Sequence, residues 1–151
     1  MHYDHYEFGL VTDDRLEFSF NSNGPKGEIC LMVQFAETSH PAIYNLSFGN
    51  KLSDGSIDDR IRNCNMDRNK VLATVAIAVF EFTSRFPDRQ VVFSGSTPER
   101  TRLYRMAIMN NLKTLLEDFV LSGLKINRGF LMMEEFKAGV EYAGFLVKRK
   151  P

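Results

Sequence analysis

The sequence predicts an α+β domain: a mainly antiparallel sheet of about six to eight strands with two long helices packed on one face. Three observations lead there. Up to residue 63 the apolar residues recur every second position, between turn signals such as Asn-Gly-Pro and Asp-Gly. From residue 67 the pattern turns helical, is interrupted by the short apolar run Gln90-Val91-Val92-Phe93, and turns helical again. Residues 129–150 read as strands again. The 151 residues contain no repeat, linker or low-complexity stretch, so residues 1–151 read as one domain with a sizeable core.

Tyr6, Phe8 and Leu10 alternate with polar or small neighbours, as do Leu16, Phe18 and Phe20. The stretch NSNGPKG is a turn, and Ile29 to Ala36 is apolar on both faces, as a central strand is. IYNLSFGN alternates, SDGS supplies a hairpin turn, and Ile57 and Ile61 alternate with Asp58, Arg60 and Arg62 in an edge-like strand. These segments form a meander of about five strands. DRNKVLATVAIAVFEFTSRF predicts a first helix over residues 67–85, closed by Pro87. The second helix is expected over residues 98–119, opened either by a Ser96/Glu99 capping box or by Thr97 with Pro98 in the first helical position. The remainder reads as two strands around Lys137-Ala138-Gly139. Val75, Val79, Phe80, Ile108, Leu112, Leu31 and Val33 are expected in the core.

The 19 basic and 19 acidic side chains cancel, which argues against a general electrostatic grip on nucleic acid and leaves room for a local basic patch. No window has the ~18 uninterrupted apolar residues of a membrane span. Met1 to His5 lacks the basic and apolar regions of a signal peptide, so a cytoplasmic location and no membrane partner are expected. Cys30 and Cys64 form no Cys-x-x-Cys motif, and Cys30, inside EICLMVQF, is expected to be a buried free thiol. Of His2, His5 and His40, His2-x-x-His5 with Asp4 could touch one ion, but its terminal position favours disorder; neither metal nor cofactor is expected.

One corner concentrates charge. If both helices run antiparallel to the strand between them, their amino termini share one end of the sheet, beyond the carboxyl ends of the strands that feed helices. That corner would hold Arg68 and Lys70 from the first helix, with Ser94, Ser96, Thr97, Arg100 and Arg102 from the second. A helix amino terminus is already electropositive, so such cations call for an anion or for carboxylate partners. Arg105 falls on the extension of the apolar stripe through Ile108, Leu112, Leu115, Leu116 and Phe119, and is expected at a pocket rim. It would either pair with Glu28, Asp58 or Asp67, or bind a ligand.

GPKGEI, YNLSFGN, DRNKVLATVA and FSGSTPERTRLYRMAI, in this order and spacing, resemble a family of bacterial domains of unknown function. The resemblance implies a compact α+β domain and carries over no catalytic residue. The strand–helix–strand–helix order is also similar to the acetyltransferase core, but the segment from Arg62 to Lys70 lacks the glycines that let backbone amides approach a coenzyme phosphate. SGST lacks the lysine and glycine spacing of a P-loop. Hydrolytic chemistry lacks a histidine close in sequence to Ser94, Ser96 or Thr97. Asp58 and Asp59 alternate to opposite faces, so a nuclease would need carboxylates gathered by the fold. Two readings remain. One is a binding module whose corner takes a phosphate-bearing ligand or a nucleic-acid backbone. The other is a protein-interaction component, such as one member of a toxin–antitoxin-like pair. An acetyltransferase-like or nuclease-like enzyme is the minor alternative; the sequence leaves the oligomeric state open.

Overall fold

The computed structural model describes residues 4–58, 65–95 and 97–151. Its strands are β1 (Leu10–Val11), β2 (Glu17–Gly24), β3 (Gly27–Glu37), β4 (Ile43–Lys51), β5 (Ile57–Asp58), β6 (Gln90–Phe93), β7 (Phe119–Asn127), β8 (Phe130–Glu135) and β9 (Gly144–Arg149). Three helices are inserted: α1 (Arg68–Arg85), α2 (Pro98–Asn110) and α3 (Leu112–Asp118). The strands form one sheet in the order β1-β2-β3-β4-β6-β9-β7-β8, with β5 beside β4. Among the described residues only the β4–β6 pair is parallel.

The register explains why one face is buried. Phe18 lies opposite Val33, Val33 opposite Phe48, Tyr44 opposite Val91, Val91 opposite Val147, and Val147 opposite Leu121. With a side-chain period of two, each pairing keeps its large apolar residues on the same face. Against that face α1 sets Val71, Val75, Ala78 and Phe82, and α2 sets Tyr104 and Ile108. The stacked rings of Phe35 and Phe82, 4.1 Å between centroids, join sheet and helix. Over β2, β3 and β4 the reverse face carries small and polar residues, including Ser19, Cys30, Gln34, Asn45 and Ser47, whereas over β6, β9 and β7 it carries Val92, Leu146 and Leu124.

Four expectations need correction. The sheet has nine strands among the described residues, because β7 starts at Phe119, where the second helix was expected to end. The second helix is not one long element: it breaks at Asn111, whose side chain donates to the Ala107 carbonyl at 2.7 Å and competes with the helical ladder. The first strand is only Leu10–Val11; Tyr6 and Phe8 pack on the core from irregular chain instead. Cys30 is exposed, because it sits opposite Asn21 on the uncovered face.

Helix α1 matches its expected span, with Asp67 as the residue preceding it. Val75, Ile108, Leu31 and Val33 are buried, and Val79, Phe80 and Leu112 pack half-buried against the core. The edge-like strand keeps Ile57–Asp58; Ile61, Arg60 and Arg62 lie outside the described residues. Among the described residues, no helix is long and apolar enough to cross a membrane.

Candidate functional site

Helices α1 and α2 both begin at one end of the sheet. Asp67, before α1, meets Ser22 of β2, and Arg100, in the first turn of α2, meets the Phe48 carbonyl of β4. The pairing of Leu31 with Asn50 puts these strand ends on the same side. The expected corner therefore exists, but its residues are held in two separate ways.

On the α1 side a buried polar cluster fixes the entry to the helix. Tyr6 donates its hydroxyl to Asp67 Oδ2 at 2.6 Å, and Ser22 donates to the same oxygen. Asn65, nearly fully buried, donates to Ser22 Oγ at 3.1 Å and to the Gly27 carbonyl at 3.0 Å, and accepts from the Lys26 amide at 2.8 Å. Gly24 permits this: a Cβ there would stand 2.0 Å from the Asn65 carbonyl oxygen. The GPKG turn and the segment before α1 are thus locked together. Lys70 lies over the Tyr6 ring at 4.3 Å and within 3.8 Å of Asp4, whereas Arg68 is exposed.

On the α2 side Thr97 is the cap, accepting from the Arg100 amide at 3.2 Å, with Pro98 following. Ser96 lies outside the described residues, so the capping-box alternative does too. Thr101 Oγ1 accepts from the Gly95 amide at 3.0 Å, and a Cβ on Gly95 would collide with the Thr101 nitrogen at 2.3 Å. Arg100 donates to the Phe48 carbonyl at 3.2 Å and lies over the Phe48 ring, tying helix to sheet. Ser94 and Arg102 are exposed. Arg105 is half-buried, with no hydrogen bond or ion pair among the described residues. The expected pairing with Glu28, Asp58 or Asp67 is absent, because the helical phase that buries Tyr104 and Ile108 turns Arg105 aside. Asp59 lies outside the described residues, and no group of three or more metal-ligating side chains occurs among those described.

A second surface lies at the β8 end of the sheet. β7 and β8 are joined by Arg128 and Gly129, with φ of 52° and 82°. Two positive-φ residues make the tight turn whose twist suits a two-stranded hairpin. β9 pairs with β7 only over Phe119 to Leu124, so the hairpin projects past its neighbour. It carries exposed apolar side chains on both faces: Phe130 and Met132 on the helix side, and Ile126, Leu131 and Met133 on the other. Phe130 is 75% exposed and Leu131 67%. β8 is also an edge strand, paired on one side only. On its helix-side face an open groove of about 720 Å³ is lined by Lys125, Met132, Glu134 and Tyr142. Lys125 and Glu134 meet at 2.6 Å; that hydrogen bond holds the Glu134 carboxyl below the ordinary carboxylate range and raises Lys125. The sequence signal was available in GFLMMEE, four consecutive apolar residues where an edge strand ordinarily alternates.

Residues 2–150 match a family of unknown function, DUF6934, and the chain belongs to that family. No curated protein and no solved structure matches.

Proposed function

We propose that this member of the family is a protein-interaction component whose contact surface is the β7–β8 hairpin. The supporting observation is the unpaired β8 edge with Phe130, Leu131, Met132 and Met133 all exposed. Edge strands are ordinarily kept short, bulged or charged, because free N–H and C=O groups recruit other strands. The opposite edge, β1, is two residues long. β8 is six residues long, and its only charges are Glu134 and Glu135 at its end. An exposed apolar surface of this kind marks a contact site.

The test is photo-crosslinking in the cells of origin, with a photoreactive residue replacing Phe130 and, as control, exposed Glu81 of α1. A discrete protein adduct is expected at position 130 and not at 81. It should disappear when Leu131 and Met133 are both replaced by Lys, with the melting temperature preserved. No adduct, or equal labelling at both positions, overturns the reading.

The corner supports a second reading, an anion site for a phosphate-bearing ligand or nucleic-acid backbone. Its support is that Arg68 and Arg102 are exposed and make no ion pair among the described residues, near the amides of a helix amino terminus. Titration with phosphate, nucleotides and short oligonucleotides at low salt tests it. Saturable binding, abolished by high salt and weakened by Arg102→Ala, supports the reading, and its absence removes it.

A further inference from the structure

We infer that the occupant of the β8 edge is a second copy of this chain, joined by antiparallel β8–β8 pairing about a two-fold axis; the inference rests on the interaction reading above. The backbone sets the first condition. In an antiparallel ladder closed by a two-residue turn, the flanking pair, Asn127 and Phe130, exchanges both hydrogen bonds, and the pattern then alternates. Phe130, Met132 and Glu134 therefore bond to β7. Leu131, Met133 and Glu135 direct their N–H and C=O groups to the open edge. Such a row is self-complementary when the incoming strand is an antiparallel copy of itself.

The side chains set the second condition. A strand docking here must offer apolar residues at successive positions, because both faces of β8 are apolar. β8 is itself such a strand. Charge then selects the register. Antiparallel pairing centred on Leu131 places Leu131 opposite its own copy and Phe130 opposite Met132, so the apolar residues meet on both faces. The same register sets Glu134 beside Arg128 of the second copy and separates the two acidic ends. Arg128 is exposed, with no ion pair among the described residues, and so is available for that contact. A register centred on Glu134 would oppose the acids directly. The two-fold arrangement consumes both free edges and closes, giving a continuous sheet across two chains with no strand left open on that side.

The test is sedimentation equilibrium of the full chain over a wide micromolar range. A dimer is expected. Leu131→Lys and Leu131→Glu, each placing like charges opposite one another at the seam, should each be monomeric with an unchanged melting temperature. Mixed together they should form a one-to-one heterodimer. Leu131→Pro should also be monomeric, since the lost N–H is the one that faces the edge and the β7 ladder is kept. A wild-type chain that is monomeric throughout, or a dimer that survives in both charged variants, overturns the inference. A monomeric chain that still gives a crosslinked adduct with a different protein at position 130 overturns self-pairing and leaves the interaction reading standing.

Discussion

Tyr6 donates its hydroxyl to the Asp67 carboxylate at 2.6 Å, across 61 residues of chain. That carboxylate stands just before α1, where an aspartate ordinarily caps the first turn, yet it makes no side-chain cap bond to the helix. Its Oδ2 is occupied instead by Tyr6 and Ser22, so the residue that could cap α1 staples it to β2 and to the amino-terminal segment. The Tyr6 hydroxyl also accepts from the Asn23 amide at 3.0 Å.

Tyr6→Phe keeps the ring on Phe20 and removes these bonds, so it should lower stability by about 1–2 kcal/mol, read from the denaturation midpoint. Burial, and then the hydrogen bond to Asp67, raises the Tyr6 pKa above 10.0. The folded state therefore holds the phenolic proton more tightly than the unfolded chain does. The associated stability is fully present below pH 10.0 and is lost as pH rises through the elevated folded value. Melting curves from neutral to strongly alkaline pH should fall more steeply for wild type than for Tyr6→Phe; parallel curves would show that the hydroxyl has no such linkage.

Arg105→Ala should change stability by no more than about 0.5 kcal/mol, the ordinary range for a surface position without a specific partner. Arg105 is half-buried but without an ion pair among the described residues. Thermal melts of the two proteins check this directly. A loss of several kcal/mol would reveal a buried carboxylate partner in solution.

Arg149 should behave oppositely. Its guanidinium donates to the Phe80 carbonyl at 2.9 Å and to Thr83 Oγ1 at 3.3 Å, and lies 4.6 Å from the Phe80 ring and 5.2 Å from that of Phe119. It clamps the end of β9 onto the carboxyl-terminal half of α1. Arg149→Ala should cost about 1.5–3 kcal/mol, the range for a hydrogen bond to a charged group. Arg149→Lys should recover only part of that, because a point charge cannot hold two acceptors and lie flat on two rings. Equal stability of Arg149→Lys and wild type would reduce the clamp to simple charge.

The contrast between these arginines shows what the sequence makes legible. Period-two alternation identified the strands whose faces differ, and helical spacing with Asn, Asp, Pro and Thr signals placed both helix starts within a residue. What it missed depends on partners distant in the chain. Arg149 sits among strand residues, and nothing near it indicates that Phe80, Thr83 and Phe119 will converge there. Arg105 drew attention from a stripe drawn through Leu116 and Phe119, yet Leu116 is exposed and Phe119 belongs to β7. That phase leaves Arg105 half-buried, as expected, but brings it no carboxylate partner among the described residues. The helical reading stops at Phe119 and the strand reading resumes at Gly129, so most of β7 falls to no element and the β7–β8 hairpin is not seen.

Asn111 itself supplies the last prediction. Its Nδ2 donates to the Ala107 carbonyl, but its Oδ1 is buried without a partner among the described residues, beside a small apolar cavity of about 80 Å³ lined by Leu72, Val75, Ala76, Ile108 and Leu115. An unpartnered buried acceptor costs about 1–3 kcal/mol, and asparagine is a weaker helix former than leucine. Asn111→Leu replaces that acceptor with a methyl-bearing chain next to unfilled apolar space, and removes the side chain that competes for the Ala107 carbonyl. The variant should be more stable by about 1 kcal/mol and should gain far-UV helical signal as α2 and α3 merge. Asn111→Ala, which removes the same polar atoms without filling the cavity, should gain less. A loss of stability in Asn111→Leu, with the alanine variant unaffected, would mean that the cavity is too tight for the added carbons. A loss in both would mean that Oδ1 is satisfied in solution by a bound molecule, and that the break between α2 and α3 is maintained by that contact.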